Sequence, residues 1–517
     1  MFQKLYGSSG AGQDVGFAGL QTRDGGYLFA GSTNGFGSGQ TDGYLIKTNT
    51  RGDTMWSRTF GASNYEHLVS VQQTADGGYI ATGPTQSFGV GGFDYYLVRV
   101  DSLGNHLWSR TYGGTLPDEP ARVIQTRDGG YLIGGLTSSF GAGGTDLYFV
   151  KTNVSGDTIW ARAFGSITSE TVSALIETRD GGYVAAGRVY DAQTFDNDMY
   201  IIKTTSNGGT SWIQTIGGSE VSERALDDAC AIRQIQDGGY IIAGRATFGM
   251  DVDVVLIRTD SAGAVMWLRR YGGPAAEFCF DVQQTSDGGY VVAGSTFSNS
   301  QLGNLDSYLF KTDANGGLLW SRRYGQSGTD EVHSVVQTTD GGYLLTGYQS
   351  FEGTGYRDLY VIKTDGTGTS GCLEDTAGFV SAIASLAVAN QFALVHSGCF
   401  VEATATAVYS GAHTTTLCTS VSVKENERMP EGFSLQQNYP NPFNPATHIP
   451  FTIQVSGFTS LKVYDVLGRE VATLVNGNLQ AGSYEITFNA DGLASGVYLY
   501  RLQAGKFVQT RKLVLLH

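Results

Sequence analysis

The chain has 517 residues, a formal charge of −15, 73 glycines and only 16% charged residues. That length exceeds one ordinary domain, and a composition rich in Gly, Tyr, Phe, Val and Ile predicts many short strands joined by tight turns rather than helices. The acidic balance excludes nucleic acid and anionic membrane surfaces as partners, because both require clustered Lys and Arg.

The chain opens with Met1-Phe2-Gln3-Lys4-Leu5-Tyr6-Gly7, which aligns with Met55-Trp56-Ser57-Arg58-Thr59-Phe60-Gly61 further on. No export signal precedes this segment, so the sequence is expected to begin downstream of the true start. The tetrapeptide D-G-G-Y then recurs seven times, at Asp24, Asp76, Asp128, Asp180, Asp237, Asp287 and Asp340, with spacings of 50 to 57 residues. A second Asp falls at 42, 94, 146, 198, 253, 306 and 358, and fourteen residues later comes Trp56, Trp108, Trp160, Trp212, Trp267 or Trp320, with Cys372 in the seventh copy.

The third copy shows the unit: strands a, b, c and d at Pro120–Gln125, Tyr131–Leu136, Leu147–Thr152 and Thr158–Phe164. The a–b connection is an Asp-Gly turn, where positive φ is wanted. Four antiparallel strands in about 50 residues is the period of a propeller blade. A solenoid would want dissimilar end caps. Seven near-equal copies instead predict a closed seven-bladed ring over 1–366, with Phe2–Tyr6 as strand d of the last blade beside Leu359–Thr364. These units, with Y-L-I-K-T, G-D-T and W-S-R-T-F-G, resemble the bacterial β-propeller repeats of secreted Bacteroidetes proteins, a resemblance that implies location rather than activity.

A group present in every copy serves the blade that every copy shares. The Trp position is therefore expected in blade packing. Lys47, Arg99, Lys151, Lys203, Arg258, Lys311 and Lys363 are expected to pair with D-G-G aspartates. Lys4, Arg58, Arg110, Arg162, Arg269 and Arg322 are expected to meet Asp42 and its equivalents, with Gln214 the exception. Ten residues before each D-G-G-Y lies an acid: Asp14, Glu66, Asp118, Glu170, Asp227, Glu277 and Asp330. These are expected to ring one mouth of the central channel, either hydrogen-bonded to neighbouring loops or holding a cation.

Residues 367–431 read as an irregular connection and a charged linker, Lys424–Arg428. The longest apolar stretch, 379–395, is polar-interrupted and too short to span a bilayer. Cys230 and Cys279 fall in strands and read as small core residues. Cys372, Cys399 and Cys418 hint at an oxidising compartment, and a Cys372–Cys418 disulfide is expected to tie the connection to the last blade.

From Phe433 a small alternating-strand sandwich begins, with strands such as Leu461–Tyr464, Tyr484–Phe488 and Val497–Leu502. Asn438-Tyr439-Pro440-Asn441-Pro442-Phe443-Asn444-Pro445, then Val463-Tyr464-Asp465-Val466-Leu467-Gly468-Arg469, Ala481-Gly482 and Ser495-Gly496-Val497-Tyr498 resemble the type A sorting domain of the type IX secretion system. The resemblance covers 432–517 as an Ig-like domain. It implies export to the outer surface of a Gram-negative bacterium or beyond, and removal of the domain by a sortase-like peptidase. The ending Leu516-His517 departs from the basic terminus of that family.

Gly366–Gly371 spells G-x-G-x-x-G but ends an antiparallel blade, so it does not predict dinucleotide binding. The histidines lack metal-ligand spacing and no nucleophile motif has a fitting context. The expectation is a non-enzymatic binding protein without cofactor or metal, its propeller taking a glycan or a protein. An extracellular lyase or glycosidase and a structural surface component are the alternatives. The a–b and c–d turns are short and nearly invariant, whereas the b–c and d–a loops vary on the opposite face. Arg188, Tyr190, Glu220, Glu223, Arg224 and Arg245 are the candidate binding residues there.

Overall fold

The structure is a computed structural model. It describes residues 1–419 and 433–516 apart from 8–11, 192–195, 218–226, 249–250, 299–303, 326–327, 351–355, 372–373, 376, 378, 384–386, 391–393, 398–407, 410–412, 456, 467, 480–481, 491–492 and 506. Two compact units divide it, 1–420 and 421–517. No helix among the described residues is long and apolar enough to cross a membrane.

The first unit is all-β: seven four-stranded antiparallel blades. In the third blade the strands run Asp118–Gln125, Tyr131–Thr137, Asp146–Thr152 and Thr158–Gly165, one or two residues longer than the pattern predicts. Strands b and c are buried at every position here apart from Leu136. They read as continuous apolar runs because each blade has a neighbour on both faces. The outer strand d alternates between buried and open positions. Each D-G-G turn is self-capped: Asp128 accepts from Thr126 Oγ1 at 2.6 Å and Gly130 N at 3.0 Å.

The N-terminal strand Phe2–Gly7 pairs antiparallel with Arg357–Lys363, Phe2 opposite Lys363 and Tyr6 opposite Leu359, and so completes the seventh blade. The inner strand of the first blade, Asp14–Gln21, packs on all three other strands of the seventh, which closes the circuit.

Three contacts repeat from blade to blade. The Trp of one strand d meets the D-G-G-Y Tyr of the next blade, as in Trp56–Tyr79 at 6.1 Å and Trp320–Tyr343 at 5.9 Å. Phe2 takes the Trp place at the closing junction, 6.0 Å from Tyr27. The backbone N–H after each strand a donates to a Gln or Glu of the next blade, from Arg23 to Gln73 at 2.9 Å, round to Thr339 to Gln21 at 2.8 Å. Where strand d carries Tyr, its hydroxyl donates to the next c–d turn, as Tyr6 to Gly52 O at 2.6 Å and Tyr271 to Gly316 O at 2.5 Å.

The connection read as irregular instead supplies fifth strands on the outside of the ring. Glu374–Asp375, Val380–Ile383, Ala387–Asn390 and Leu394–Ser397 pair in turn with strand d of blades six, five, four and three. Val408–Tyr409 then pairs with blade one and His413–Thr419 with Phe2–Gly7 of blade seven. The segment runs backwards around the ring and satisfies backbone groups that strand d would leave open at an edge.

The second unit is a sandwich of a three-stranded sheet, including Ala446–Ile453 and Gly482–Asn489, and a four-stranded sheet formed by Glu470–Leu479, Gly457–Tyr464, Gly496–Ala504 and Phe507–Leu515. Its quoted motifs hold it together. Asn438, 2% exposed, donates to Thr447 Oγ1 at 2.9 Å, and its own N–H donates to Tyr500 Oη at 2.8 Å. Asn441 accepts from Val514 N at 2.9 Å, and Asp465 holds Arg469 across a turn with Gly468 at φ +80°.

Truncating Phe2 to Ala removes the aromatic half of the closing junction. The expected loss is about 3 kcal/mol of propeller stability by denaturant unfolding, and deletion of residues 1–7 should lower the melting temperature further. An unchanged denaturation midpoint in both variants refutes this closure.

Candidate functional site

The inner strand of six of the seven blades has the same local irregularity. The register of strand a on strand b slips at the fourth residue from the acid that opens it, so Phe17, Ala121, Ser173, Cys230, Phe280 and His333 are bulged out of the ladder. The facing strand-b residue is glycine in every blade. A Cβ on Gly31 or Gly347 would strike the carbonyl of Val15 or Glu331, so the bulge and the glycine require each other.

The bulged side chains, with Val69 from blade two, line a cavity of about 430 Å³ to which all seven blades contribute. A second cavity of about 360 Å³ shares Phe17 and His333 and reaches Gln13, Asn34 and Thr41 of the variable loops. The central channel thus opens toward the variable-loop face.

Blade seven supplies the densest chemistry at this mouth. His333 stacks on Phe17 at 5.5 Å and meets Phe280 at 4.9 Å, while its Nδ1 lies 2.9 Å from Gly16 O. Glu331 lies 3.4 Å from His333 Nε2 and accepts from the Tyr348 hydroxyl. Arg357 sits 4.4 Å over the Tyr348 ring. Burial works to raise the Glu331 carboxyl, but the His333 and Tyr348 hydrogen bonds and the Arg357 charge outweigh it and hold the group ionised. In blade five Arg245 pairs with Asp228 at 3.2 Å and lies 5.6 Å over Phe278.

Of the predicted binding residues, Arg245 stands at this mouth, and Arg188 is near enough to act with it on Asp228, whose carboxyl burial nonetheless pushes up. Tyr190 is half-buried in strand b and its backbone N–H donates to Ser169 O at 2.9 Å. Glu220, Glu223 and Arg224 lie outside the described residues. So does Cys372, hence the Cys372–Cys418 disulfide; Cys230 and Cys279 are free thiols on adjacent blades. Glu331, His333, Tyr348, Phe17 and Phe280 were missed by sequence reasoning. The sequence signal was partial: the bulge position runs Phe, Val, Ala, Ser, Cys, Phe, His, but other strand-a positions vary as widely, as Val15, His67, Glu119, Thr171, Asp228, Phe278 and Glu331 do.

The seven acids that open strand a do not ring the channel mouth, and this corrects the sequence expectation. Each is at most 2% exposed and none lines the two cavities. They turn into the junctions between blades and bond to neighbouring loops. Glu66 accepts from Ala62 N at 3.0 Å, Thr85 Oγ1 at 2.7 Å and Ser87 N at 2.9 Å, and Glu277 accepts from Gly273 N and from the Thr296 and Ser298 hydroxyls. Each also approaches the strand-c Asp of the preceding blade. Asp42 and Glu66 press together on the Cα of Gly61, and Asp94 and Asp118 on that of Gly113, which is why strand d ends in glycine. At two junctions an Arg one place beyond the expected cation reaches that Asp: Arg270 to Asp253 and Arg323 to Asp306, the latter at 3.0 Å.

The strand-c cations behave as expected. All seven pair with their own D-G-G Asp, for example Lys47–Asp24 at 2.9 Å and Lys363–Asp340 at 2.8 Å. The strand-d cations do not meet Asp42 and its equivalents. They reach the c–d turn of the next blade instead, as Lys4 to Asp53 at 2.9 Å, Arg162 to Asn207 O at 3.3 Å and Arg269 to Asn315 O at 2.8 Å.

This architecture defines an all-β repeat protein with a separate C-terminal sandwich. The family described as "Secretion system C-terminal sorting domain" matches residues 437–516. The chain therefore carries a type IX sorting domain and is exported to the cell surface or the extracellular space, and that domain engages the type IX secretion machinery. Among curated proteins it is similar to the "Regulatory protein FlaEY" of Caulobacter vibrioides, 22% identical over 379 residues covering 60% of this chain. It spans about 39% of that relative's length. Among solved structures it is similar to PorZ, a surface component of the type IX secretion system of Porphyromonas gingivalis, with 11% identity, TM-score 0.38, and coverage of 95% of this chain and 58% of PorZ.

The buried acid pairs predict a pH dependence. Burial, with the neighbouring Asp118 or Asp14, pushes Asp94 and Asp358 up to about 6, and Glu277 rises to about 7 by burial and its contact with Asp253. A carboxyl raised on folding contributes stability that is present below its unfolded value and lost as pH climbs through its folded value. Replacing Asp94 by Asn should therefore raise the melting temperature relative to the native chain, by a margin that grows from pH 5 to pH 8. A margin that is flat or shrinks over that range refutes the acid-pair account.

Proposed function

We propose that this exported chain is a binding protein that takes a glycan in the channel mouth on the variable-loop face. The observation that supports it most is the cavity to which every blade contributes, six of them through a bulged residue, at a position where the copies differ. Aromatic walls with a few convergent polar groups are the usual make-up of a small-molecule site. Loops on a rigid scaffold are where recognition is usually built. After export, a sortase-like peptidase is expected to remove the sorting domain within Val421–Gly432, leaving the propeller anchored or released.

A carbohydrate-active enzyme is the second reading, favoured by one cluster. Glu331, His333, Tyr348 and Arg357 bring an acid, an imidazole, a phenol and a guanidinium together at the cavity, the kinds of group that proton transfer on a sugar employs.

Glycan-array binding alongside reducing-end release separates the two. Tyr348→Phe with Glu331→Gln should lower glycan affinity at least about tenfold, with no reducing ends appearing for the native chain. Substitutions on the D-G-G face, such as Asn49→Ala, should leave binding intact. Loss of binding only through the D-G-G face refutes the assignment. For the tail, a chain lacking 432–517 should remain in the periplasm of a host with the type IX system, and its recovery from the surface would contradict the sorting role.

A further inference from the structure

One charge in the channel is left without a partner. Arg122 follows the bulged Ala121 on blade three and lines the cavity of about 430 Å³. Among the described residues its guanidinium has no hydrogen bond or ion pair. The nearest acid acting on it, across the channel on blade six, is Asp281. That carboxylate is already engaged: Oδ1 accepts from Arg233 Nη2 at 2.6 Å and Val282 N at 2.9 Å, and Oδ2 from Val335 N at 3.1 Å. Two guanidinium groups thus share one carboxylate that already accepts three hydrogen bonds, which leaves one positive charge in excess. Arg122 is half-buried, and a partly desolvated charge is more stable with an anion beside it.

Resting on the binding reading above, we infer that the channel receives the terminal acidic unit of a polysaccharide, a uronate or a sulfated sugar, with its carboxylate or sulfate on Arg122. The chemistry of the walls selects the ligand. The rings of Phe17, Phe280 and His333 line the space for the sugar body, and Arg122 has no carboxylate of its own. Seven blades enclose the channel on all sides, so a polymer enters by an end and not by its middle. The polar groups at the mouth are paired side chains, Glu331 with Tyr348 and Asp228 with Arg245, which match hydroxyls. A peptide would instead want a free strand edge to extend.

The test is calorimetric titration of the full chain with trigalacturonate, its neutral methyl ester, a terminally sulfated trisaccharide and a hexa-aspartate peptide. An acidic sugar should bind at least about tenfold more tightly than the ester, the range of a charge-assisted hydrogen bond. Arg122→Met should erase that preference at an unchanged melting temperature, and Arg122→Lys should keep part of it. Whichever of the uronate and the sulfated sugar binds identifies the anion. Equal affinity for acid and ester, or a preference that survives in Arg122→Met, overturns the inference. So does binding of hexa-aspartate without either acidic sugar. If the ester binds and Tyr348→Phe weakens it while Arg122→Met has no effect, the acidic-sugar inference falls and the glycan-binding reading stands. If no acidic or neutral sugar binds here or on the array, both fall.

Discussion

A blade of this protein cannot stand alone, because its two middle strands are apolar on both faces. At the closing junction Phe2, Tyr6, Tyr27, Phe29, Tyr44, Ile46, Leu344, Leu359 and Val361 form one buried cluster drawn from two blades. Exposing such a face would cost about 10 kcal/mol or more at 1.5–3 kcal/mol per large side chain, which is as much as the whole stability of a typical domain. An open row of blades would leave two such faces in water. The ring is therefore a requirement of the blade, and the contacts that repeat around it follow from that requirement. Trp to Tyr, turn N–H to Gln, and Tyr hydroxyl to turn carbonyl all run from one blade to the next. The N-terminal strand lets the last junction be built from the same parts as the others.

The same logic explains how much of the fold was legible in the sequence. A period of about 50 residues with strand-length apolar runs specifies a blade, and the match of Phe2 to Trp56 specifies how the ring closes. The pairing of Lys47 and its equivalents was legible because donor and acceptor share one blade. The partners of Lys4, Arg162 and Arg269 were not, since they belong to the next blade and sequence separation within a unit says nothing about the height at which two units touch. The outer belt was also hidden. Its strands begin at Val380, Ala387, Leu394 and Val408, spaced by seven or by twice seven. That spacing is the step from one blade to the next, a distance set by the ring rather than by helix or strand geometry. Of the site, the variable-loop face was readable from loop differences. The channel lining required knowing that a bulge turns one residue of strand a inward.

The acids that open strand a show why recurrence in a repeat is evidence of a structural role. Each meets the Asp of the preceding strand c over a glycine, and at most junctions the chain provides no cation for the pair. Oδ1 of Asp42 and of Asp94 is buried without a hydrogen-bond partner, a costly arrangement for a charged group. Raised carboxyl values are the consequence, since a neutral form relieves both desolvation and repulsion. Two copies place Arg270 or Arg323 beside the pair, although burial still raises Asp253 and Glu277 at the first of these junctions. There the sequence itself supplies the positive charge, and the Asp gains an ion pair.

Recognition in such a molecule is expected where the repeat is broken rather than where it is kept. The blade positions that recur are committed to neighbours, and a change at one of them perturbs a junction. The bulged position lies outside the ladder between strands a and b in six blades. It carries Phe, Val, Ala, Ser, Cys, Phe and His without harm to the ladder, because the residue is already outside it. Its side chains converge from seven directions on one channel, so a single substitution in one blade changes a surface shared by all. Arg122 gains its significance in the same way. Its position is Ala18, Ser70, Ala174, Ala231, Asp281 and Ser334 in the other six blades, and only the asymmetry among copies leaves a cation at the centre of a ring built from equivalent parts.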